Sequence, residues 1–358
     1  MRERHVIRAT ALAAGVAGML LFVWSIRIAG TTAVFAGVTR VGAWFVVIWL
    51  LGGVRYLARA IAWRMCVDDP RQLPVTSAFV ASLAGDALGN VTPFGAFVSE
   101  PSKMVFARRH LGVGPAISAV TIENLLYSAA LVAMLVGGTA ALLLSFDVSP
   151  GIRRAAYAIL CAAVGSALFA AVVLTRRIRV ASVLLDWLAR WPLVHDVITA
   201  RRAAVRAIED DVFGFVARHP ARVAPILAIE AAYHGAAVLE IWLTVTLITR
   251  APVPLVTAFV LEFVNRTITI AFQFVPMWLG VDEAGTGLIT TALHLGAAVG
   301  VGLALIRKAR VMLWTALGLG LVFAPPSWSS VRWRAQDVPD PMPRPPESRG
   351  DTSPAERP

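Results

Sequence analysis

The chain has 358 residues, of which 58% are hydrophobic and only 15% charged, against about 25% charged in an ordinary soluble domain. Its mean hydropathy is +0.71. So little polar surface excludes a soluble globular enzyme, a disordered protein and a nucleic-acid-binding domain, and apolar runs of about twenty residues recur along the chain, as in an all-α polytopic membrane protein.

The net charge of +11 reads as a topology signal with attraction to anionic lipid. Two cysteines, Cys66 and Cys161, suit neither a disulfide framework nor a CxxC metal site. The basic start, residues 1–8, leads into a span at 9–26 that is expected to stay in place, because more membrane follows it. A second span at 41–63 ends among Arg55, Arg59, Arg64 and Arg71.

Residues 75–98 are apolar but interrupted by Gly85, Asp86, Gly89, Asn90, Pro93 and Gly95. Helix interiors tolerate such residues poorly. In lipid, irregular backbone survives only where protein or a wet cavity satisfies it. The stretch reads as a re-entrant or broken helix, the alternative being a span kinked at proline. Spans at 115–144 and 155–174 follow. The polar insert 175–222 holds nine Arg against five acids. Its Ile198, Val205, Ile208, Val212 and Phe215 recur at helical spacing, which fits either an amphipathic surface helix or one packed on the spans. Then come spans at 223–248, 255–278, 284–306 and 311–324. The stretch at 255–278 reads as broken again, by Asn265, Arg266, Pro276 and Gly280. The tally is about seven full spans and two broken segments, one membrane domain over 1–325, and a tail at 326–358 whose composition predicts disorder.

The chain contains an internal repeat. Pro74-Val-Thr-Ser-Ala-Phe-Val80 resembles Pro254-Leu-Val-Thr-Ala-Phe-Val260, Pro93 to Glu100 has the spacing of Pro276 to Glu283, and His110-Leu-Gly112 matches His294-Leu-Gly296. Glu123-Asn124 and Arg307-Lys308 then fall at equivalent places. Repeat A covers about 56–145 and repeat B about 233–325. Placing Lys/Arg-rich segments inside puts the amino terminus in the cytoplasm and inverts the two repeats, so that their broken tips meet near the midplane, as in many secondary transporters.

Both repeats place an acid after the broken tip. Ser99-Glu100-Pro101 and Asp282-Glu283-Ala284 read as helix starts capped by Ser99 and Asp282. Such amino ends suit phosphate. Ionisable residues at membrane depth point to function, and Glu100 facing Glu283 across the repeat axis is expected to make an acid-lined chamber that exchanges a proton or a cationic head. Lys103 and Arg266 are candidates for holding a lipid phosphate, with Glu262 or Glu283 as partner to Arg266. Glu123 and Asn124 are expected to face the shared cavity. Arg307, Lys308 and Arg310 read as a basic cluster at a span end, explained by positive-inside anchoring as readily as by a ligand. No metal, cofactor or nucleotide motif is legible.

Asn90-Val-Thr-Pro93-Phe-Gly95 with Glu100-Pro-Ser-Lys103, and Phe274-Val-Pro276-Met-Trp-Leu-Gly280-Val-Asp282-Glu283-Ala-Gly285, resemble the two motif blocks of the lysylphosphatidylglycerol synthase transmembrane-region family, also called flippase-like membrane proteins. Arg307-Lys-Ala-Arg310 resembles the basic motif that follows. Ser99 departs from the family's usual Gly. The wording of the second block is most similar to the branch linked to hopanoid biosynthesis. The resemblance implies a multi-pass protein of the cell inner (cytoplasmic) membrane, with no cofactor. It would move a polar-headed lipid (phospholipid, polyprenyl-linked or hopanoid) between leaflets, or assist lipid-biosynthesis enzymes as a non-catalytic partner. A membrane-embedded lipid-modifying enzyme is the remaining alternative. Members that synthesise aminoacyl-lipids carry a soluble synthetase domain, so that activity is not expected here.

Overall fold

The computed structural model describes residues 23–92, 95–107, 110–191 and 195–323, all helix and connecting turns with no strand among them. After a helical stretch at 23–29, the order is α1 (Thr31–Val41), a 3-10 turn (Gly42–Trp44), α2 (Phe45–Met65), α3 (Val75–Asn90), α4 (Ala96–Ala107), α5 (Val113–Ser145), α6 (Pro150–Thr175), α7 (Val180–Leu188), α8 (His195–Arg218), α9 (Pro220–Thr249), α10 (Leu255–Ala271), α11 (Val281–Ala292) and α12 (Ala297–Phe323). Among the described residues, four stretches are long and apolar enough to cross a bilayer: Thr31–Met65, Val113–Ser145, Pro150–Thr175 and Pro220–Thr249. The expected first span up to residue 22, Pro93, Arg108, Arg109 and the tail from 324 lie outside the described residues.

Three expected boundaries move. Val75–Asn90 is one helix, and Gly85, Asp86 and Gly89 lie inside it; Val91, Thr92 and Gly95 are non-helical, and α4 begins at Ala96. The second break is confined to 272–280, so Asn265 and Arg266 sit on the regular helix α10. The stretch 284–306 is not one span. α11 ends at Ala292, His294 (φ 59°) and Gly296 (φ 88°) turn the chain through left-handed backbone, and the N–H groups of Leu295 and Gly296 donate to Thr290 O. α12 then runs unbroken through 307–310, which places Arg307, Lys308 and Arg310 in mid-helix rather than at a span end.

The two halves share a succession of helices. Pro74 and Pro254 precede α3 and α10 with the same backbone angles, φ −58° and ψ 140°. α3 and α10 have 16 and 17 residues, and after a break each is followed by a 12-residue helix, α4 or α11. α3 packs along α4, and α10 along α11, as hairpins. The first hairpin closes because it carries glycine on both arms. A Cβ on Gly95 would stand 2.4 Å from Gly89 O, and one on Gly85 would stand 2.8 Å from Ser99 O.

Two apolar cores hold the bundle. One joins Ile48 of α2, Leu135 and Leu142 of α5, Ile241 and Val245 of α9, Leu261 and Phe263 of α10 and Leu303 of α12. The other joins Trp63 of α2, Ala78 and Ala81 of α3, Ile122 of α5, Phe215 of α8 and Ile226 of α9. Along α2, α5 and α9 the two cores are separated by a polar interval carrying Arg55 and Arg59, Tyr127, and Glu230 to His234 respectively. α6 is the opposite case. Its most apolar window is only 6% buried, and Leu168, Phe169 and Val172 are exposed, as suits a lipid-facing helix.

The insert resolves in favour of packing on the spans. α8 lies against α5 with Phe215 buried, and the Arg222 guanidinium donates to Val67 O (2.9 Å). Glu209 of α8 accepts the N–H of Ala181 (2.8 Å) and Ser182 (3.2 Å), which ties down the first turn of α7.

The close glycine contact makes a prediction. Gly89→Val forces α3 and α4 apart at the break, at a cost of about 1–3 kcal/mol. Thermal unfolding in detergent is expected to show a lower Tm than Gly165→Val, which meets open space on α6.

Candidate functional site

Between the two cores lies a cavity of about 180 Å³, room for several waters or a small polar head. Its wall comes from α2, α3, α9, α10, the 272–280 break, α11 and α12. Six cations line it, namely Arg55, Arg59, Arg266, Arg307, Lys308 and Arg310, against two acids, Asp86 and Asp282. The expectation of an acid-lined chamber is corrected. The wall is cationic, and most carboxylates stand behind it as counter-charges.

Each cation is buried with an acid, the only arrangement in which so much charge survives away from water. Glu240 of α9 bridges two guanidiniums, Arg55 of α2 (3.3 Å) and Arg310 of α12 (2.7 Å). Arg59 pairs with Glu123 of α5 and donates to Asn124 Oδ1 (3.3 Å). Arg266 pairs with Glu262 one turn earlier on α10 (2.6 Å), and Asn265 Nδ2 donates to the other oxygen of that carboxylate (3.1 Å). Of the two partners expected for Arg266, the structure thus selects Glu262. Arg307 pairs with Asp282 (2.6 Å) and donates to Thr286 Oγ1 (2.8 Å), and Lys308 pairs with Glu283. Arg55 and Arg266 both lie over the ring of Tyr233, at 4.7 and 5.4 Å from its centroid, and Arg59 lies over Tyr127 at 4.3 Å.

Lys103 sits between two acids, Asp86 (3.1 Å) and Glu100 (3.0 Å). Glu100 also accepts from Asn124 Nδ2 (3.0 Å). Ser99 is not a helix cap. It lies inside α4 and its hydroxyl donates to Asp86 Oδ1 (2.6 Å), tying α4 to α3. Asp282 is not a cap either. α11 begins at Val281 after Gly280, whose φ of 81° favours glycine, and Glu283 reaches back to accept Gly280 N–H at 2.8 Å. The helix end expected to suit phosphate is therefore already occupied by the chain's own carboxylate. Met277 (φ 51°) and Trp278 (φ 49°), beside it in the break, are also left-handed; for non-glycine residues this is strained backbone. The Trp278 indole N–H donates to Thr269 O (3.2 Å).

The expected site residues thus divide. Asn90, Asn265, Arg266, Asp282, Arg307 and Arg310 reach the cavity wall, and Asn90 Nδ2 donates across it to Thr315 Oγ1 of α12 (2.9 Å). Lys103, Glu100, Glu123, Asn124 and Glu283 lie in the ion-pair layer behind. Gly95, Gly280 and Pro276 shape the two breaks. Glu100 and Glu283 do not form the expected face-to-face pair, since each is held by its own lysine. Sequence reading left Arg55, Arg59, Asp86 and Tyr233 out of the site. Arg55 and Arg59 read in the sequence as charge at the end of a span, yet they lie inside α2, and their position within an apolar run is the signal that marks them.

The pairing makes a double-mutant prediction. Glu283 is fully buried, so Lys308→Met strands a carboxylate and costs about 3–5 kcal/mol, whereas replacing both charges leaves none unpaired and is close to neutral. Unfolding of the two single variants and of Glu283→Gln/Lys308→Met in detergent measures this, and most of the stability returns in the double variant.

No curated protein and no solved structure matches the chain. The family described as "Lysylphosphatidylglycerol synthase TM region" matches residues 9–320. With nearly the whole membrane part of the sequence covered, the chain belongs to that family, a multi-pass α-helical membrane protein related to lipid metabolism or transport.

Proposed function

We propose that this protein moves a polar-headed lipid between leaflets, taking the anionic head into the cavity between the two broken hairpins. The observation that carries the reading is the excess of cations on that wall, six against two acids. Arg307 Nε and Nη1, Arg266 Nη2 and Arg55 Nε have no acceptor among the described residues. A phosphate group offers acceptor oxygens in the geometry a guanidinium fits. Discontinuous helices around a midplane site are the build of many secondary transporters.

The chemistry favours transport over lipid modification. The wall acids Asp86 and Asp282 are engaged by Lys103 and Arg307, which leaves them poorly placed as general acid and base. The reading puts the protein in the cytoplasmic membrane, amino terminus inside, with repeats of opposite orientation. The lipid is a phospholipid or a polyprenyl- or hopanoid-linked relative.

Purified protein in vesicles carrying fluorescent phosphatidylglycerol is expected to exchange the label between leaflets, read as the fraction open to an added reductant. Arg307→Gln and Arg310→Gln are each expected to slow exchange by about tenfold, roughly 1.4 kcal/mol in the barrier. Unchanged lipid throughout supports transport, whereas chemical conversion of the lipid would replace this reading with an enzyme.

Orientation has its own test. With the exposed Cys161 changed to Ser and Cys66 left buried, cysteines introduced one at a time at Gly112 and Arg250 are expected to label from opposite sides of sealed vesicles. Labelling from one side would overturn the inverted arrangement.

A further inference from the structure

In the charged layer seven cations meet seven carboxylates. Arg55, Arg59, Lys103, Arg266, Arg307, Lys308 and Arg310 are bound to Asp86, Glu100, Glu123, Glu240, Glu262, Asp282 and Glu283. Glu230 of α9 is an eighth acid with no share in this balance. It is 0% exposed, and neither of its oxygens has a hydrogen-bond partner among the described residues. His234 lies one turn along the same helix face. It is buried too, stacked on Tyr127 at 5.5 Å, with both ring nitrogens unpartnered.

Glu123 lies one turn before Tyr127 on α5, as Glu230 lies one turn before His234 on α9; Tyr127 stacks on His234, and α5 and α9 run in the same direction past the two cores, which puts Glu123 at the level of Glu230. The groups that act on Glu230 are Arg59 of α2, Lys103 of α4 and Glu123, and those acting on Glu123 are Arg59, Lys103 and Glu100 of α4. Those acting on His234 are Arg55 and Arg59 of α2 and Glu262 and Arg266 of α10. Arg59 is committed to Glu123 and Lys103 to Asp86 and Glu100. A carboxylate deprived of water and of any donor is stable only as the neutral acid.

We propose that Glu230 and Glu123 form a proton-binding pair that couples protonation to occupancy of the cavity. With Arg59 on Glu123, the pair holds one proton, on Glu230. Arg59 also lines the cavity. When an anionic head draws Arg59 away, Glu123 loses its counter-charge beside Glu230 and takes a proton from water, so one proton enters for each head bound. By linkage, binding tightens as pH falls. The coupling rests on the anion-binding reading of the cavity; the proton on Glu230 does not.

The full-length protein in lipid nanodiscs tests both parts. Infrared spectra are expected to show a protonated carboxylic-acid carbonyl band at neutral pH that is lost in Glu230→Gln and kept in Glu100→Gln and Glu283→Gln. Should Glu230→Gln fail to fold, Glu230→Asp keeps the acid and moves the band. Absence of the band in the wild type, or its indifference to both Glu230 variants, overturns the site. Calorimetry with sn-glycerol 1-phosphate in two buffers of different protonation enthalpy is expected to show uptake close to one proton per molecule bound, abolished in Glu123→Gln. Binding without uptake overturns the coupling. Absence of binding overturns the anion reading and the coupling together, and leaves the infrared result to decide Glu230.

Discussion

Charge taken out of water has to be neutralised on the spot, and this requirement organises the bundle. α2, α5, α9, α10 and α12 each carry ionised side chains at a depth where neither water nor lipid solvates them. Each charge is stable only against a partner on a neighbouring helix or a turn away. Glu240 therefore binds α2 to α12 through Arg55 and Arg310, and Glu123 binds α5 to α2 through Arg59. The apolar cores on either side supply the bulk of the packing, and the ion pairs select which face of each helix turns inward.

The same constraint explains why the two breaks lie where they do. A backbone leaving helical geometry exposes N–H and C=O groups that lipid cannot satisfy. Between α3 and α4 the close approach of Gly89 and Gly95 lets the two arms close on each other. At 272–280 the chain uses left-handed residues, an indole N–H on Thr269 O and the Glu283 carboxylate on Gly280 N–H to satisfy the turn. Glu283 thus serves twice, as helix cap and as counter-charge to Lys308. Its complete burial follows from having both partners.

A cationic wall backed by carboxylates differs in kind from a simple basic pocket. Every guanidinium is already held, so an incoming anion competes with a carboxylate instead of filling an empty site. The Tyr127 and Tyr233 rings, over which Arg59, Arg55 and Arg266 lie, add a cation–π attraction to that of the carboxylates.

The amino-acid sequence alone determined that the chain is an all-helical membrane protein, that proline and glycine punctuate it in two corresponding places, and that acids and bases lie inside its apolar runs. These follow from local properties, namely hydropathy, backbone freedom and the cost of burying charge. Only the tertiary structure decided which charges meet. Arg55 finds Glu240 at a separation of 185 residues, and the 307–310 cluster proved to lie in mid-helix against α9 and α11. It also separated the acids that are paired, Glu100 and Glu283, from the one that is not, Glu230. Helix length and periodicity show that a residue faces inward, but the sign of what faces it depends on how several helices pack.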